Sequence, residues 1–259
     1  MRLIHVLQNR IFLSKSRYSR SITSLSQTER LAITIGASAV ALADPSRSDM
    51  VALLGEITGE SALRRLLSRL QKQTSKELTK HLTPFEASIE DGAQILKDRP
   101  RISLSHEEVE RLGVFPCGTF GRAYFEYLTA HGFSPAERGE CRLILDNDLR
   151  FVLQRYREVH DFFHVLSGLP PTVLGETGVK WLELAHMKLP VAALSAVIAP
   201  VRLTHSERSL LFTRLAPWAM RCGSQCKFLL GVRYENLFQE DLSEVRKALH
   251  FEIAPSINS

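Results

Sequence analysis

The sequence lacks the features that define several common classes of protein. Its longest apolar run, residues 31–42, has about twelve residues, whereas a membrane-spanning helix needs roughly twenty. It also lacks the glycine-rich phosphate-binding loops of nucleotide-binding proteins and the Gly-x-Ser-x-Gly turn of serine hydrolases. Any association with a membrane is therefore expected to be peripheral, and nothing favours nucleotide-binding or serine-hydrolase chemistry.

Cysteine is scarce: the residues are Cys117, Cys141, Cys222 and Cys226. Cys222 and Cys226 are spaced for one helix face, but no second Cys or His pair completes a zinc knuckle. We interpret all four as buried or free thiols, which suits a reducing compartment.

Acidic residues are absent from the first 28 residues, which hold Arg2, Arg10, Lys15, Arg17 and Arg20. In the remainder of the chain, the other 28 basic residues balance the 28 acidic ones. The alkaline pI therefore comes from this segment and does not indicate a nucleic-acid partner. A serine-rich, amphipathic and acid-free start predicts a mitochondrial transit peptide at residues 1–28; the alternative is a disordered basic tail.

No segment alternates apolar and polar residues over the length of a strand, whereas helical periods recur along the chain. We predict an all-α fold, with a single helical domain of about ten helices over residues 29–259. The longest predicted helix is Asp146–Ser167, and two shorter ones are 87–97 and 228–238. Polar residues 71–84 have no clear period and are predicted to form a surface loop or a frayed helix end.

The strongest motif lies in the longest predicted helix. His160 and His164 are four residues apart and share a helix face, and Asp161 follows the first of them. A Gly-Leu-Pro-Pro turn then lets a helix capped by Thr172 return beside the first and bring Glu176 near the histidines. Imidazole and carboxylate groups in this arrangement predict a site for one divalent metal ion, held by His160, Asp161, His164 and Glu176.

The metal hypothesis has alternatives. Two histidines at the edge of a core are often hydrogen-bonded to neighbours, and Asp161 is either a ligand or a partner that orients an imidazole. Zn²⁺ is the default ion, while Fe²⁺, Mn²⁺ and Co²⁺ also accept nitrogen and oxygen ligands. Four protein ligands would make a structural site, whereas three ligands and a water would leave a catalytic position open.

The residues around the motif are each open to two interpretations. Arg155, Arg157 and Lys180 either bind an anionic substrate group or are ordinary surface charges, and surface charge is favoured. Phe162, Phe163 and Trp181 either line an apolar pocket or belong to the core, and the core is favoured.

The motifs resemble those of the coenzyme-Q biosynthesis protein four family of mitochondria, which has bacterial relatives. The central match runs from Arg155 to His164. The other matching stretches are Asp44–Arg47, Leu54–Gly59, Gly118–Tyr124, Gly168–Pro170, Gly175–Glu176, Pro217–Arg221 and Tyr234–Glu235. Together they span most of the chain from about residue 29 to residue 250.

The resemblance implies an all-α protein on the matrix face of the mitochondrial inner membrane, attached peripherally. It implies that the family's metal motif is His160, Asp161, His164 and Glu176. It further implies membership of a multi-enzyme ubiquinone-synthesis complex and a polyprenylated benzoate substrate, 4-hydroxy-3-methoxy-5-polyprenylbenzoate. The implied activity is that of a carboxy-lyase that removes the C1 carboxyl group, with or without hydroxylation at that carbon. One departure from the family is an apparent insertion near residues 71–84.

For that reaction, the proton delivered to C1 would come from Glu176 or Asp161. Two other classes of function stay open. One is a non-catalytic scaffold that binds the polyprenyl lipid and carries a structural metal. The other is a metal-dependent phosphohydrolase, which the His-Asp pair suggests but which needs further ligands, such as His186 and His205. A homodimer also stays open, since the sequence shows no interface.

Overall fold

The structure is a computed structural model that describes residues 26–43, 48–73, 83–141 and 144–257. Most of the predicted transit peptide, residues 1–28, lies outside these ranges. Most of the predicted insertion, residues 71–84, lies outside them as well. Both stay predictions.

The described residues form thirteen α-helical segments and contain no β-strand, which confirms the predicted all-α fold and single helical domain. The segments are α1 (Gln27–Ala43), α2 (Ser48–Thr58), α3 (Glu60–Lys72), α4 (Pro84–Ile89), α5 (Gly92–Asp98), α6 (His106–Leu112), α7 (Phe120–His131), α8 (Asn147–Ser167), α9 (Val173–Met187), α10 (Pro190–Ile198), α11 (His205–Leu210), α12 (Ala216–Gln225) and α13 (Leu242–Ala248).

The long helix α8 runs through the middle of the domain. The side chain of Asp146 accepts hydrogen bonds from the first turn of α8, and Gly168 ends the helix in the left-handed conformation with φ of 75°. Helices α3, α7 and α9 pack around it. Most of its residues are buried, including charged ones, so α8 is buried on more than one face.

Helices α9 and α12 form the most extensive helix pair, and a glycine sets their separation. A Cβ atom at Gly223 would lie 2.9 Å from both the Cβ of Ala185 and the carbonyl oxygen of Leu182. The two backbones therefore approach more closely than any larger residue would allow. This contact fixes α9, which carries Glu176, within the bundle.

A π-helical turn, Leu211–Leu215, joins α11 to α12. Pro217 lies just after this turn. Proline has no N–H for the carbonyl four residues back and its ring crowds that carbonyl, so a wider turn accommodates it.

The prediction of a helix over residues 228–238 is wrong. The segment instead forms two short 3₁₀ turns, Leu229–Gly231 and Tyr234–Asn236. Its carbonyl groups bind partners elsewhere in the fold: those of Leu230 and Val232 accept hydrogen bonds from Arg155. Because tertiary hydrogen bonds occupy these groups, the regular helical ladder does not form.

The predicted helix over residues 87–97 is in fact two helices, α4 and α5. The break falls at Glu90 and Asp91, where the Asp91 N–H donates to the carbonyl of Gly231, at 2.8 Å. Here too, a bond to a distant segment replaces a helical one.

Three of the four cysteines are buried, only Cys117 is exposed, and all four are free thiols, as predicted. None of the described helices has the length and apolar character needed to cross a bilayer.

His186 gives the fold a dependence on pH. Its Nδ1–H donates to the carbonyl of Gly223, at 2.8 Å, and its Nε2 accepts from the N–H of Leu229, at 3.1 Å. Burial lowers the pKa of His186 from its ordinary 6.5 to about 4, a fall that the charge of Arg69 favours and the bond to Gly223 opposes. The folded protein therefore requires the neutral imidazole.

We predict that the free energy of unfolding falls by about 3 kcal/mol as the pH is lowered from 6.5 to 4, because the unfolded chain binds a proton there that the folded chain excludes. The contribution is complete above pH 6.5. Urea unfolding at a series of pH values measures it. A His186→Gln variant should be less stable at pH 7, and its deficit should shrink as the pH falls; parallel curves for the two proteins would contradict the assignment.

Candidate metal centre

Two imidazoles project from one side of α8 toward α9. His160 and His164 lie one helical turn apart, with ring centroids 5.0 Å from each other and ring planes nearly perpendicular, at 84°. His164 is fully buried, and the side chain of His160 is 16% exposed. The spacing that predicted a shared face is thus realised in the fold.

Glu176 meets these imidazoles because the connection between α8 and α9 is short and tightly packed. The Thr172 hydroxyl caps α9 by accepting from the N–H of Gly175, at 3.2 Å. A Cβ atom at Gly175 would lie 2.0 Å from the carbonyl oxygen of Pro170. Only glycine lets the turn fold onto the start of α9 and set Glu176 opposite α8.

The Glu176 carboxylate bridges the two histidines. Its Oε2 lies 3.4 Å from His160 Nε2, and its Oε1 lies 3.2 Å from His164 Nε2. The three residues offer one ligand atom each, all within 4.8 Å of one another. Among the described residues, this is the group with the geometry of a metal site. The side chain of Glu176 is 38% exposed, so the centre opens to solvent on its side.

Each imidazole has its other nitrogen fixed by a hydrogen bond. His160 Nδ1 lies 2.7 Å from Glu183 Oε1, and His164 Nδ1 lies 2.9 Å from the carbonyl oxygen of Leu169. A carboxylate and a carbonyl can only accept, so both Nδ1 atoms carry the hydrogen. Both Nε2 atoms are thereby directed toward Glu176.

The charges of the cluster are strongly coupled. Although burial and the charge of Lys180 lower the pKa of His160, the carboxylates of Glu183 and Glu176 raise it to about 9. Burial opposes ionisation of Glu176, but His160 and His164 hold the pKa of its carboxyl well below the usual range. Without a metal, His160 is therefore a cation between two carboxylates, and Glu176 is ionised at neutral pH.

The cluster fits a divalent cation. No hydrogen bond satisfies the buried Nε2 of His164, although Glu176 lies nearby. An unpaired nitrogen in a buried position is costly, and a metal ion is a partner that would satisfy it. Two imidazoles and one carboxylate are also the protein ligands of several catalytic zinc sites, in which a fourth position is open.

Asp161, the predicted fourth ligand, is not in this group. Its Oδ2 pairs with the guanidinium of Arg138, which also donates to the carbonyl of Arg157. One residue step turns a side chain by about 100° around a helix, which directs Asp161 away from the face of His160 and His164. In this structure Asp161 holds the loop that carries Arg138 against α8.

The neighbouring cations are not the ordinary surface charges that the sequence favoured, since each is bound inside the fold. Arg155 donates to carbonyls of the 3₁₀ region, Arg157 pairs with Glu56 at 3.0 Å, and Lys180 pairs with Glu183 at 2.8 Å. Phe162 and Phe163 are fully buried core residues, as favoured.

Sequence reasoning missed Glu183, which is completely buried and bonded to His160. A signal was present: Glu176, Lys180 and Glu183 follow at intervals of four and three residues, which places one polar stripe along the apolar helix α9. Tyr127 was also missed; its ring stacks on His164, with centroids 5.5 Å apart. No pattern in the sequence marks it.

Comparisons with known proteins find a matching family and a similar fold. The sequence model of the family described as "Coenzyme Q (ubiquinone) biosynthesis protein Coq4" matches residues 18–255. The mitochondrial ubiquinone biosynthesis protein COQ4 homolog of Bos taurus is 40% identical over 221 residues, which cover 85% of this chain and 77% of that protein. The mitochondrial COQ4 protein of Coprinopsis cinerea is 38% identical over 219 residues, which cover 85% of this chain and 70% of that protein.

A solved structure is similar as well. The crystal structure of a provisionally named ubiquinone biosynthesis protein from Nostoc punctiforme superposes with a TM-score of 0.63 at 19% identity. The match covers 87% of this chain and 98% of that one. At this identity the likeness bears on the fold alone.

We predict that metal binding at neutral pH releases about one proton, because His160 must give up its Nε2 hydrogen to become a ligand. The affinity should rise about tenfold per pH unit from pH 6 to 8 and level off above a pH of about 9. Calorimetric titration with Zn²⁺ in buffers of different ionisation enthalpy counts the protons. His164→Ala should abolish binding, while the exposed His205→Ala should bind as the parent does; binding without proton release would contradict the assignment of His160.

We predict that Gly175→Ala destabilises the fold by about 1–3 kcal/mol and weakens metal binding, because the new methyl group displaces the turn that positions Glu176. Gly36→Ala is the matched control: Gly36 lies in α1, and a Cβ atom there meets nothing within 4 Å. That control should stabilise the protein by up to about 1 kcal/mol. Unfolding curves and Zn²⁺ titrations of both variants measure the effects, and a Gly175→Ala protein with parental metal affinity would show that the turn does not set the site.

Proposed function

The chain belongs to the coenzyme Q (ubiquinone) biosynthesis protein Coq4 family, and from its role in ubiquinone biosynthesis we propose a specific reaction: metal-dependent removal of the C1 carboxyl group from a 4-hydroxy-3-methoxy-5-polyprenylbenzoate. The observation that carries the proposal is the convergence of His160, His164 and Glu176 at an opening in the helical core. The two imidazoles and the carboxylate would hold the ion.

A divalent ion at this position would supply an electrophile for an oxygen of the substrate and would stabilise negative charge there. Zn²⁺ is the ion we expect for plain decarboxylation. Hydroxylation at C1 would require an oxidant such as O₂, together with a redox-active ion such as Fe²⁺, Mn²⁺ or Co²⁺ to activate it. The protein ligands found here suit any of these ions.

Loss of CO₂ leaves the bonding electron pair of C1 on the ring, so in the plain reaction a proton must reach C1 as the carboxyl group departs. Two residues were predicted to provide it. Arg138 engages Asp161 inside the fold, whereas Glu176 lies at the open side of the centre. We therefore place Glu176 as the carboxylate that meets the substrate. Because Glu176 is ionised, it would relay to C1 a proton that it first takes up from solvent, while Asp161 holds the surrounding structure.

Aromatic side chains lie beside His164. Tyr127 stacks on His164, and the ring centroid of Phe133 lies 5.9 Å from that of Tyr127. Burial, followed by the charges of Asp161 and Glu176, raises the pKa of the Tyr127 hydroxyl, which keeps its proton. A flat apolar surface with one neutral hydroxyl suits the ring of a substituted benzoate.

The relatives are named mitochondrial, which supports a mitochondrial setting for this chain. We propose that residues 1–28 act as a transit peptide and that the protein lies peripherally on the matrix side of the inner membrane. A polyprenyl tail would keep the substrate at that surface. Other enzymes of ubiquinone synthesis, assembled in a complex, are its proposed partners.

We predict that the purified protein with one bound ion per chain releases CO₂ from a polyprenylated 4-hydroxybenzoate, and that His164→Ala loses at least about 100-fold in rate. Loss of a metal ligand should lower the rate more than loss of a residue that only hydrogen-bonds to a ligand. Loss of such a residue typically lowers metal affinity or activity 10–100-fold. Carbon-14 label at the C1 carboxyl group measures release, metal analysis gives occupancy, and circular dichroism checks the fold. His205→Ala is the control.

A parent protein that binds its ion and the lipid but never releases CO₂ would contradict the enzymatic proposal. The lipid-binding scaffold with a structural metal would then account for the site.

A further inference from the structure

Glu183 is a buried carboxylate on α9, seven residues after Glu176, and its side chain is 0% exposed. Its Oε1 accepts from His160 Nδ1, at 2.7 Å. Its Oε2 accepts from the hydroxyl of Tyr156, at 2.6 Å, and from the ammonium of Lys180, at 2.8 Å. Each oxygen therefore has its own partners.

A buried ionised carboxylate is costly unless it is paired and hydrogen-bonded. Lys180 compensates the charge of Glu183, and Tyr156 completes the bonding of the same oxygen. These two donors hold the carboxylate in one orientation, so that Oε1 faces His160. The arrangement therefore fixes the direction of the hydrogen bond between Glu183 and His160.

We infer that Glu183 is a positioning residue for the metal centre: by accepting the Nδ1 hydrogen of His160, it keeps the Nε2 lone pair of that imidazole directed at the ion. The inference rests on the metal site of the proposed function. Histidine ligands commonly have their second nitrogen bonded to a carboxylate or a carbonyl, which fixes the tautomer and the ring orientation.

His164 provides an internal comparison. Its Nδ1 donates to the backbone carbonyl of Leu169, at 2.9 Å, an acceptor that the turn supplies without a side chain. His160 has no such carbonyl and depends on Glu183 instead. A substitution can therefore alter the orientation of one ligand while leaving that of the other intact.

The substitution Glu183→Gln tests this dependence sharply. Lys180 and Tyr156 place donors beside Oε2, and the ammonium has no acceptor for an amide N–H. The amide oxygen is therefore held on their side, and the NH₂ group is turned toward His160 Nδ1. That nitrogen must then accept, which moves the imidazole hydrogen to Nε2, where the ion would bind. An amide in place of a carboxylate beside a histidine selects the wrong tautomer in this way.

The experiment is titration of the metal-free full-length protein with Co²⁺, whose visible spectrum reports both affinity and ligand geometry. We expect Glu183→Gln to bind Co²⁺ 10–100-fold more weakly, the usual range for loss of an outer partner. Glu183→Gln combined with Lys180→Met should recover most of this loss, because without the ammonium the amide oxygen can turn back to His160.

Glu158→Gln is the matched control. Glu158 is a buried glutamate of α8 that bonds to Arg101 and to the N–H of Ile102, away from the metal ligands. Its substitution should lower thermal stability but change Co²⁺ affinity by less than about twofold, since it orients no ligand. Parental affinity in Glu183→Gln, equal weakening in Glu158→Gln, or no recovery in the double variant would each overturn the inference.

A second measurement needs no variant. Nitrogen-15 spectra of the Zn²⁺-bound parent protein should show His160 with hydrogen on Nδ1 and metal on Nε2; the opposite tautomer would overturn the inference. The possible outcomes distinguish a failure of the inference about Glu183 from a failure of the proposed function. A parent that binds no ion removes both, whereas a parent that behaves as expected toward Co²⁺ but releases no CO₂ removes the reaction alone.

Discussion

The contact between the carbonyl of Pro170 and the backbone at Gly175 is the constraint on which the centre depends. It sets α9 against α8 at the one point where a carboxylate can reach two imidazoles. The same turn supplies the carbonyl of Leu169 that orients His164. Backbone geometry thus fixes two of the three ligands, and the third, His160, is oriented by side chains of α9.

Several charged side chains of α8 are buried. Arg155, Glu158 and Asp161 on α8 are each nearly inaccessible, and each is matched by a partner from another segment. Such groups add little net stability compared with apolar residues, but an unmatched one would be costly. These buried charges therefore favour one arrangement of the fold over the others. Each of the segments that pairs with them docks on α8 in one register: the segments that carry Arg101, Arg138 and the carbonyls of Leu230 and Val232.

The sequence predicted the helices whose signals are local. Thr172 caps α9, and the helical period over residues 146–167 marks the length of α8. It also placed His160, His164 and Glu176 together, because helical spacing and a short turn are local features. It failed at residues 228–238 and at Asp91, where backbone groups bond to distant segments. It also gave no sign that Asp161 pairs with Arg138, which lies on a loop. Long-range pairing of this kind cannot be read from the apolar periodicity of the sequence.

The turn between α8 and α9 has a consequence for how this region tolerates change in length. The turn has a fixed length between Gly168, which is in the left-handed conformation, and Thr172, which caps α9. It bonds to the predicted metal ligand His164 through the carbonyl of Leu169. One residue inserted in the first turn of α9, between Thr172 and Glu176, would turn Glu176 and Glu183 by about 100° around that helix relative to its cap and carry both off the shared face. Insertions and deletions should therefore be excluded here, even at positions where the identity of the side chain is free to vary.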